Sequence, residues 1–372
     1  MRGIQRRTRL APLVCAVVAV SGYCLLVGPI LVMEGPDWFV HVGRRDREPP
    51  TLRQMQDMLG RDVSGSATYG HDGREFFVLA QDPFLLAPRR DASLLDRPAY
   101  RAARIAYPAV VAPWRLFGNA GLLWGLLLTN LLVVGIGTYF TVRLSQLLRA
   151  PPWAAAFFAA SPVLVVSVLL DLGDGLSLAA LIACVYLFST ERFGWAMAAG
   201  VVAVLAKQPA LLAVYAIAFS SPSVSRRLRL SFVAAPTVVL AAWTFYVNAR
   251  LGTSGAHVAV FGPPLFGYFK VANLWIRTEG WADAVLAIAL LPAAGVVVTR
   301  WWRRRSQLLT IALPFALLVP FLSQAVLYQT IDSLRAFGPA ITFLGLDWAM
   351  SSRKRASDNA VPSLLEASAG FQ

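Results

Sequence analysis

Charge is scarce in this sequence, and lysine scarcer still. Charged residues make up 15% of the 372 residues, against about 25% in an ordinary soluble domain. The lysines are only Lys207, Lys270 and Lys354. His41, His71 and His257 show neither HxxxH nor HxH spacing, and Cys15, Cys24 and Cys184 fall inside apolar segments without a CxxC pair. No zinc constellation and no disulfide framework can be assembled from them. A P-loop and a GxSxG elbow are missing too, and no internal repeat marks an inverted-repeat transporter.

What fills the chain instead is apolar. Hydrophobic residues reach 57% and the mean hydropathy is +0.59. Runs of roughly 18 nearly uncharged residues recur, each long enough to cross about 30 Å of hydrocarbon as a helix. The expected fold class is therefore an all-α polytopic membrane protein of about ten transmembrane segments. The spans fall near 11–33, 119–142, 153–170, 175–190, 195–206, 209–221, 231–249, 282–299, 307–327 and 333–350.

Arginine supplies the net charge of +14, which would suggest a nucleic acid partner but for where the arginines lie. With the N-terminus (1–10) in the cytoplasm, Arg143, Arg149, Arg192, Arg226, Arg227, Arg229, Arg300, Arg303, Arg304, Arg305, Arg353 and Arg355 all collect on cytoplasmic links. This is the positive-inside pattern, and no nucleic acid is expected. The basic start before the run 11–33 resembles a signal peptide, but that run is too long for one and reads as an uncleaved anchor. The arginine-rich, lysine-poor composition suits a high-GC genome and a bacterial cytoplasmic membrane. The polar tail 351–372 is expected to be cytoplasmic and disordered.

The segment 34–118 differs from the rest. From Glu34 to Arg115 it holds eleven acidic residues against twelve arginines, near neutrality, and so is expected to be a large first extracytoplasmic loop. Within it, 51–59 and 74–86 mix apolar and charged residues at helical spacing, as interfacial helices do. A second outer loop, 251–281, carries Phe261, Phe266, Tyr268, Phe269, Trp275 and Trp281, aromatics suited to headgroup depth. Spans 195–206 and 209–221 are too short to cross independently. They meet at Lys207-Gln208-Pro209, a polar break tolerated only where it is buried in protein or lines a watery cavity.

The densest polar motif runs from Tyr69-Gly70-His71-Asp72-Gly73-Arg74-Glu75-Phe76-Phe77 to Asp96-Arg97-Pro98-Ala99-Tyr100-Arg101-Ala102-Ala103-Arg104-Ile105-Ala106-Tyr107-Pro108. Over these forty or so residues the sequence resembles the first outer loop of bacterial membrane proteins with a Tyr-Asp-Gly-Gln-Phe-Phe pattern, which are similar to GT-C glycosyltransferases. His71 stands where that pattern has Tyr, and Arg74 where it has Gln. The resemblance implies transfer of a sugar from a polyprenyl-phosphate donor to a glycan, lipid or other hydroxyl acceptor, with inversion, among membrane lipids, and Asp72 as general base. A turn role for Asp72 between its glycine neighbours is the competing reading.

Other candidates follow from the same chemistry, which needs a carboxylate to take a hydroxyl proton and cations to hold a departing phosphate. Glu34 and Asp37 are reserve acids just after the first span. Arg74, Arg101, Arg104, Lys207 and Arg335 are expected at the donor phosphate, Arg335 within an Arg-x-x-x-Pro element that resembles the corresponding GT-C helix. Asp171 and Asp174 are expected to orient the acceptor or act as a second acid. No cofactor is expected, although these two aspartates leave a divalent cation open. Snorkelling of Lys207, an Asp332–Arg335 ion pair and helix capping at 171–174 are the structural alternatives. Two other functions remain open: a transporter or flippase of a lipid-linked or anionic substrate, and a non-catalytic membrane scaffold.

Overall fold

The computed structural model describes residues 2–43, 49–60, 62–63, 70–118, 120–220, 224–252, 260–278 and 280–369. Tyr69, residues 253–259 of the second loop and the last three residues of the tail lie outside them. The regular elements of the described chain are all helical, and an isolated β-bridge joins Phe261 to Leu322.

The chain opens with α1 (Arg2–Glu34), a 3-10 turn (Pro36–Val40) and α2 (Pro49–Leu59). There follow α3 (Asp72–Gln81), α4 (Pro88–Leu94), α5 (Pro98–Ala102) and α6 (Ala106–Val111). The bundle then continues through α7 (Gly121–Leu147), α8 (Ala156–Ala159), α9 (Pro162–Leu169), α10 (Asp174–Ser189), α11 (Phe193–Ala206), α12 (Ala210–Ser220) and α13 (Arg226–Leu251). It closes with α14 (Phe266–Arg277), α15 (Trp281–Arg304), α16 (Gln307–Leu318), α17 (Gln324–Leu327) and α18 (Thr330–Ala369).

Among the described residues four helices, α1, α7, α13 and α15, are long and apolar enough to cross a membrane, and Pro152–Ala159 (a 3-10 turn leading into α8) with Pro162–Leu169 (α9) forms a broken fifth bent by 49°. Helix α7 is largely wrapped by its neighbours. By contrast α1, α13 and α15 turn most of their apolar surface outward, including Leu13, Val17, Leu25, Val238, Phe245, Val285 and Ile288. Apolar stripes of that extent are stable against lipid, not against water. The architecture is that of a helical membrane protein.

Two cores hold it together. The larger lies between α7, α10, α11, α12, α16 and α18. The smaller joins Val40, Met55, Phe76, Phe77, Leu79, Leu95 and Tyr107 to Leu122 and Leu126 of α7 and Val247 of α13. The described residues of the 34–118 segment thus form a packed layer seated on one end of the bundle. Helix α2 keeps the one-sided burial expected of an interfacial helix. Helix α3 does not: every residue from Gly73 to Ala80 is buried, because it is the centre of the smaller core.

The ends of the bundle differ in charge. Helices α15 and α18 run parallel, with Asp283 accepting a hydrogen bond from the Thr330 backbone at one end (2.7 Å) and Arg300 paired with Asp347 at the other (3.2 Å). Following the alternation of α7, α10, α11, α12 and α13, the arginines at 143, 149, 192, 226–229 and 300–305 gather at the end away from the 34–118 layer.

Two sequence expectations are corrected. The tail from 351, expected to be disordered, continues α18 without a break to Ala369, since extending an existing helix through Ser, Arg, Ala and Leu needs no new nucleus. The aromatics of the second loop divide: Tyr268 and Trp275 of α14 turn into the core while Phe269 and Trp281 stay exposed. Helical spacing places Tyr268, Val271 and Trp275 on one face of α14, and that face packs.

Candidate active site

The site forms where the 34–118 layer meets the bundle. Asp72 opens α3, preceded by His71 in extended conformation, and with Glu75 puts two acids in the first turn, where the helix dipole favours them. Gly73 fits here for a steric reason. A Cβ on it would lie 2.5 Å from the Leu170 carbonyl oxygen and 2.9 Å from that of Val40. The start of α3 is pressed against both backbones, which fixes where Asp72 projects.

Helix α5 and the turn after it bring the first two cations. Arg101 bonds Asp72 Oδ1, and Arg104 donates to Asp72 Oδ2 at 3.1 Å. Arg101 also grips Asp96 with Nε (2.7 Å) and Nη2 (2.9 Å), and Arg104 stacks on Tyr100, 4.3 Å from the ring centroid. The C-terminal end of α13 braces this segment. Trp243 Nε1 donates to the Ala102 carbonyl at 2.8 Å, and Arg250 Nη2 to that of Leu85 at 2.7 Å.

The bundle supplies the rest. Thr330 at the start of α18 is capped by Asp283 of α15, which sets the register of Arg335 one turn on. Arg335 reaches Asp174 Oδ2 with Nε (2.9 Å) and Nη2 (2.7 Å), Asp332 with Nη1 (2.7 Å) and Asp72 Oδ2 with Nη2 (2.9 Å). Lys207, at the tip of the α11–α12 hairpin, is paired with Asp174 and donates to the Arg335 carbonyl at 2.9 Å. Helices α11 and α12 have 14 and 11 residues, roughly 21 and 17 Å. Their junction therefore stops short of a full membrane depth.

Asp72, Arg101, Arg104, Lys207 and Arg335 line a pocket of about 180 Å³ with Arg97, Tyr100, Asp332, Val260, Ala325, Val326 and Ala336, while Asp96 and Asp174 hold its arginines from behind. A larger cavity of about 490 Å³ adjoins it, sharing Ala325 and lined mainly by Phe261, Phe266, Leu274 and Tyr328, with Lys270 over the Phe266 ring. Its wall is made by α14, which can approach the 322–323 backbone because residue 267 is glycine: a Cβ there would meet the Leu322 oxygen at 2.0 Å.

The electrostatics follow from this crowding. Burial alone would raise the Asp72 carboxyl, but Arg101, Arg335 and Arg104 outweigh it and hold the group well below the usual carboxylate range. Asp96 is likewise lowered, against burial, by Arg101. Glu75, one turn after Asp72 and wholly enclosed, goes the other way. Burial pushes it up to about 7 even beside Arg74, since its Oε2 has no hydrogen-bond donor among the described residues. The neighbouring rings of His41 and His71 stand 5.1 Å apart, and His41 is lowered by burial and by that neighbour.

Of the residues singled out from the sequence, Asp72, Arg101, Arg104, Lys207, Arg335 and Asp174 come together. Four do not join them. Arg74 is buried away from the pocket, donating to Glu75 and to the Leu94 carbonyl (2.7 Å), because its place on α3 faces α4. Asp171 is fully buried in a turn with positive φ, near Tyr107 and Asn130, and lines no part of the pocket. Glu34 ends α1 on the surface, and Asp37 is buried in the following 3-10 turn; neither lines the pocket. Asp96, Arg97 and Tyr100 belong to the site and were present in the Asp-Arg-Pro-x-Tyr-Arg motif. Their roles are not legible there, because α5 is one short turn whose orientation depends on α13. Among the described residues no group of three or more His, Cys, Asp or Glu is gathered as a metal site.

Comparison with known proteins adds no relative: no family model, no curated protein and no solved structure matches the chain.

Proposed function

We propose that this chain is a GT-C-like membrane glycosyltransferase that moves a sugar from a polyprenyl-phosphate donor to a hydroxyl acceptor at the extracytoplasmic face. The observation that carries the reading is a pair of neighbouring cavities. One offers a carboxylate and an excess of cations, and the other, sharing Ala325 with it, is apolar. An amphiphile with a phosphate head and an isoprenoid body matches both.

In this reading the chain crosses a bacterial cytoplasmic membrane about ten times, with the 34–118 layer outside and both termini in the cytoplasm. The acceptor hydroxyl attacks the anomeric carbon from the side opposite the phosphate, so the new bond forms with inversion as the sugar–phosphate bond breaks. Asp72 takes the hydroxyl proton. Arg101, Arg104, Arg335 and Lys207 hold the leaving phosphate, whose charge grows as the bond opens, in a site where fixed donors need little reorganisation. Asp174 is a positioning residue that holds Arg335 and Lys207 together.

The test is sugar transfer by purified protein in nanodiscs, with a panel of polyprenyl-phosphate sugars and membrane-extract acceptors, for wild type and Asp72→Asn. The expected result is transfer that drops about 10²- to 10⁴-fold in a folded variant. Transfer that survives the substitution removes Asp72 from the base role, and no transfer with any donor removes the enzyme reading. The short α11–α12 hairpin with Lys207 at its tip supports one alternative, transport of an anionic lipid; flux of an unmodified substrate into proteoliposomes would establish it.

A further inference from the structure

Asp72 is occupied. Its Oδ1 is taken by Arg101 and its Oδ2 by Arg104 and Arg335, so a hydroxyl entering the pocket would meet a carboxylate with cations on both oxygens. A general base in that state is weak, because three guanidinium groups stabilise its charged form. Whatever activates Asp72 must first draw these cations away from it.

The charges around Asp72 say what that is. Its own helix supplies His71 before it and Glu75 a turn later. The α5 segment supplies Asp96, Arg97, Arg101 and Arg104. The α10 start supplies Asp174, the α11–α12 tip Lys207, and α18 Asp332 and Arg335. The pocket and its rim thus hold five cations, Arg97, Arg101, Arg104, Lys207 and Arg335, against the carboxylates of Asp72, Asp96, Asp174 and Asp332. One positive charge is in excess. The donor's phosphate, a diester with a single negative charge, neutralises that excess, and the second charge that appears as the sugar leaves is balanced by the proton that a carboxylate takes from the acceptor hydroxyl.

The contacts say which carboxylate yields. Asp96 is held by both Nε and Nη2 of Arg101, and Asp174 by Nε and Nη2 of Arg335 together with Lys207. Asp72 has no comparable grip: each of its three arginines reaches it with a single nitrogen. For Arg104 it is the one carboxylate partner among the described residues. A phosphate oxygen can replace Asp72 on all three without unseating any arginine from its other anchors.

We propose that Asp72 and the phosphate of a ligand are alternative occupants of one cationic site, so that ligand binding displaces the Asp72 carboxylate and makes it available as a proton acceptor. The inference rests on the anion-binding side of the function proposed above and adds a control to it: the base is inert while the pocket is empty and is armed by the donor's own phosphate.

The test is binding of farnesyl monophosphate to the full-length protein in nanodiscs by calorimetric titration. Asp72→Asn and Asp72→Ser both remove the competing carboxylate, and the serine keeps a residue suited to the start of a helix. Asp332→Asn is the electrostatic control, because it removes a carboxylate from Arg335 without touching Asp72. Competition predicts that the Asp72 variants bind about tenfold or more tighter than wild type, and clearly tighter than Asp332→Asn. The proposal is overturned if they bind no tighter than Asp332→Asn, if they bind more weakly than wild type, or if neither they nor wild type bind at all. Tighter binding by these variants in a protein that transfers no sugar would leave the competition standing and remove only the enzyme reading.

Discussion

The guanidinium of Arg335 grips Asp174 through two hydrogen bonds to a single oxygen, Nε at 2.9 Å and Nη2 at 2.7 Å, and uses its remaining nitrogen for Asp332. This fork leaves Arg335 no freedom to swing, so it presents Nη2 to Asp72 at a fixed place. A lysine keeps the charge but has a single nitrogen, without the planar fork that reaches Asp174, Asp332 and Asp72 from three separate nitrogens. Arg335→Lys is expected to lower transfer about 10²-fold or more. Asp174→Ala, which leaves Arg335 and Lys207 buried without their carboxylate, is expected to destabilise the protein by about 3 kcal/mol. Transfer assays and thermal unfolding in detergent check the two separately, and an Arg335→Lys variant of near-normal rate would sink the fork argument.

Glu75 should make stability depend on pH in the direction opposite to Asp72. Its carboxyl, raised to about 7 by burial, favours the protonated form in the fold. The stability this contributes is present below the ordinary Glu value and is lost as pH rises through about 7. Asp72 is lowered, so its contribution is present at neutral pH and is lost only in strong acid. Glu75→Gln, which mimics the protonated group, should therefore match wild type below about pH 4 and exceed it by about 1 to 3 kcal/mol near pH 8. Unfolding midpoints that differ equally at both values would refute the burial argument.

Gly73→Ala should be far worse than its single methyl suggests. The added Cβ meets two backbone oxygens, of Leu170 and Val40, and neither can rotate away as a side chain would. A loss of about 2 to 4 kcal/mol is expected, together with loss of anion binding as α3 lifts off the bundle. A variant with unchanged melting and binding would show that the approach of α3 to residue 170 is looser than described.

Topology is checked by cysteine labelling. In a cysteine-free background, probes placed at Asp96 and at Arg304, both exposed, are expected to react from opposite sides of the membrane. Reaction from one side would remove the extracytoplasmic placement of the site and with it the lipid-phosphate reading.

Much of the fold could be read in the sequence because a membrane span is a one-dimensional signal. Length and hydropathy alone give the limits of α7, α10 and α15 within a few residues, and the Lys207-Gln208-Pro209 break separates α11 from α12 where polar residues and proline interrupt an apolar run. The burial of helix α3 is not legible, for the opposite reason. Its Arg74 and Glu75 look like the polar face of an interfacial helix, yet they are buried against each other and α4, a pairing that composition cannot reveal. The continuous α18 was missed because a polar stretch reads as disorder when the helix it extends is not considered.

For the site, local motif reading sufficed to single out Asp72, Arg101, Arg104, Lys207 and Arg335, since charged residues in an apolar chain are costly and so stand out one by one. The partnerships were decided in three dimensions. Asp72 and Arg335 lie 263 positions apart, and whether Arg74 or Arg335 faces Asp72 depends on how α3 and α18 rotate about their axes. That rotation is set by Gly73 against Leu170 and by Asp283 capping Thr330. That this chain is a helical membrane protein with charge concentrated in a few segments is legible residue by residue, because the hydrocarbon requirement acts on each segment alone. Which of those charges meet is a property of the folded bundle, because an ion pair depends on the relative placement of helices that the local sequence does not encode.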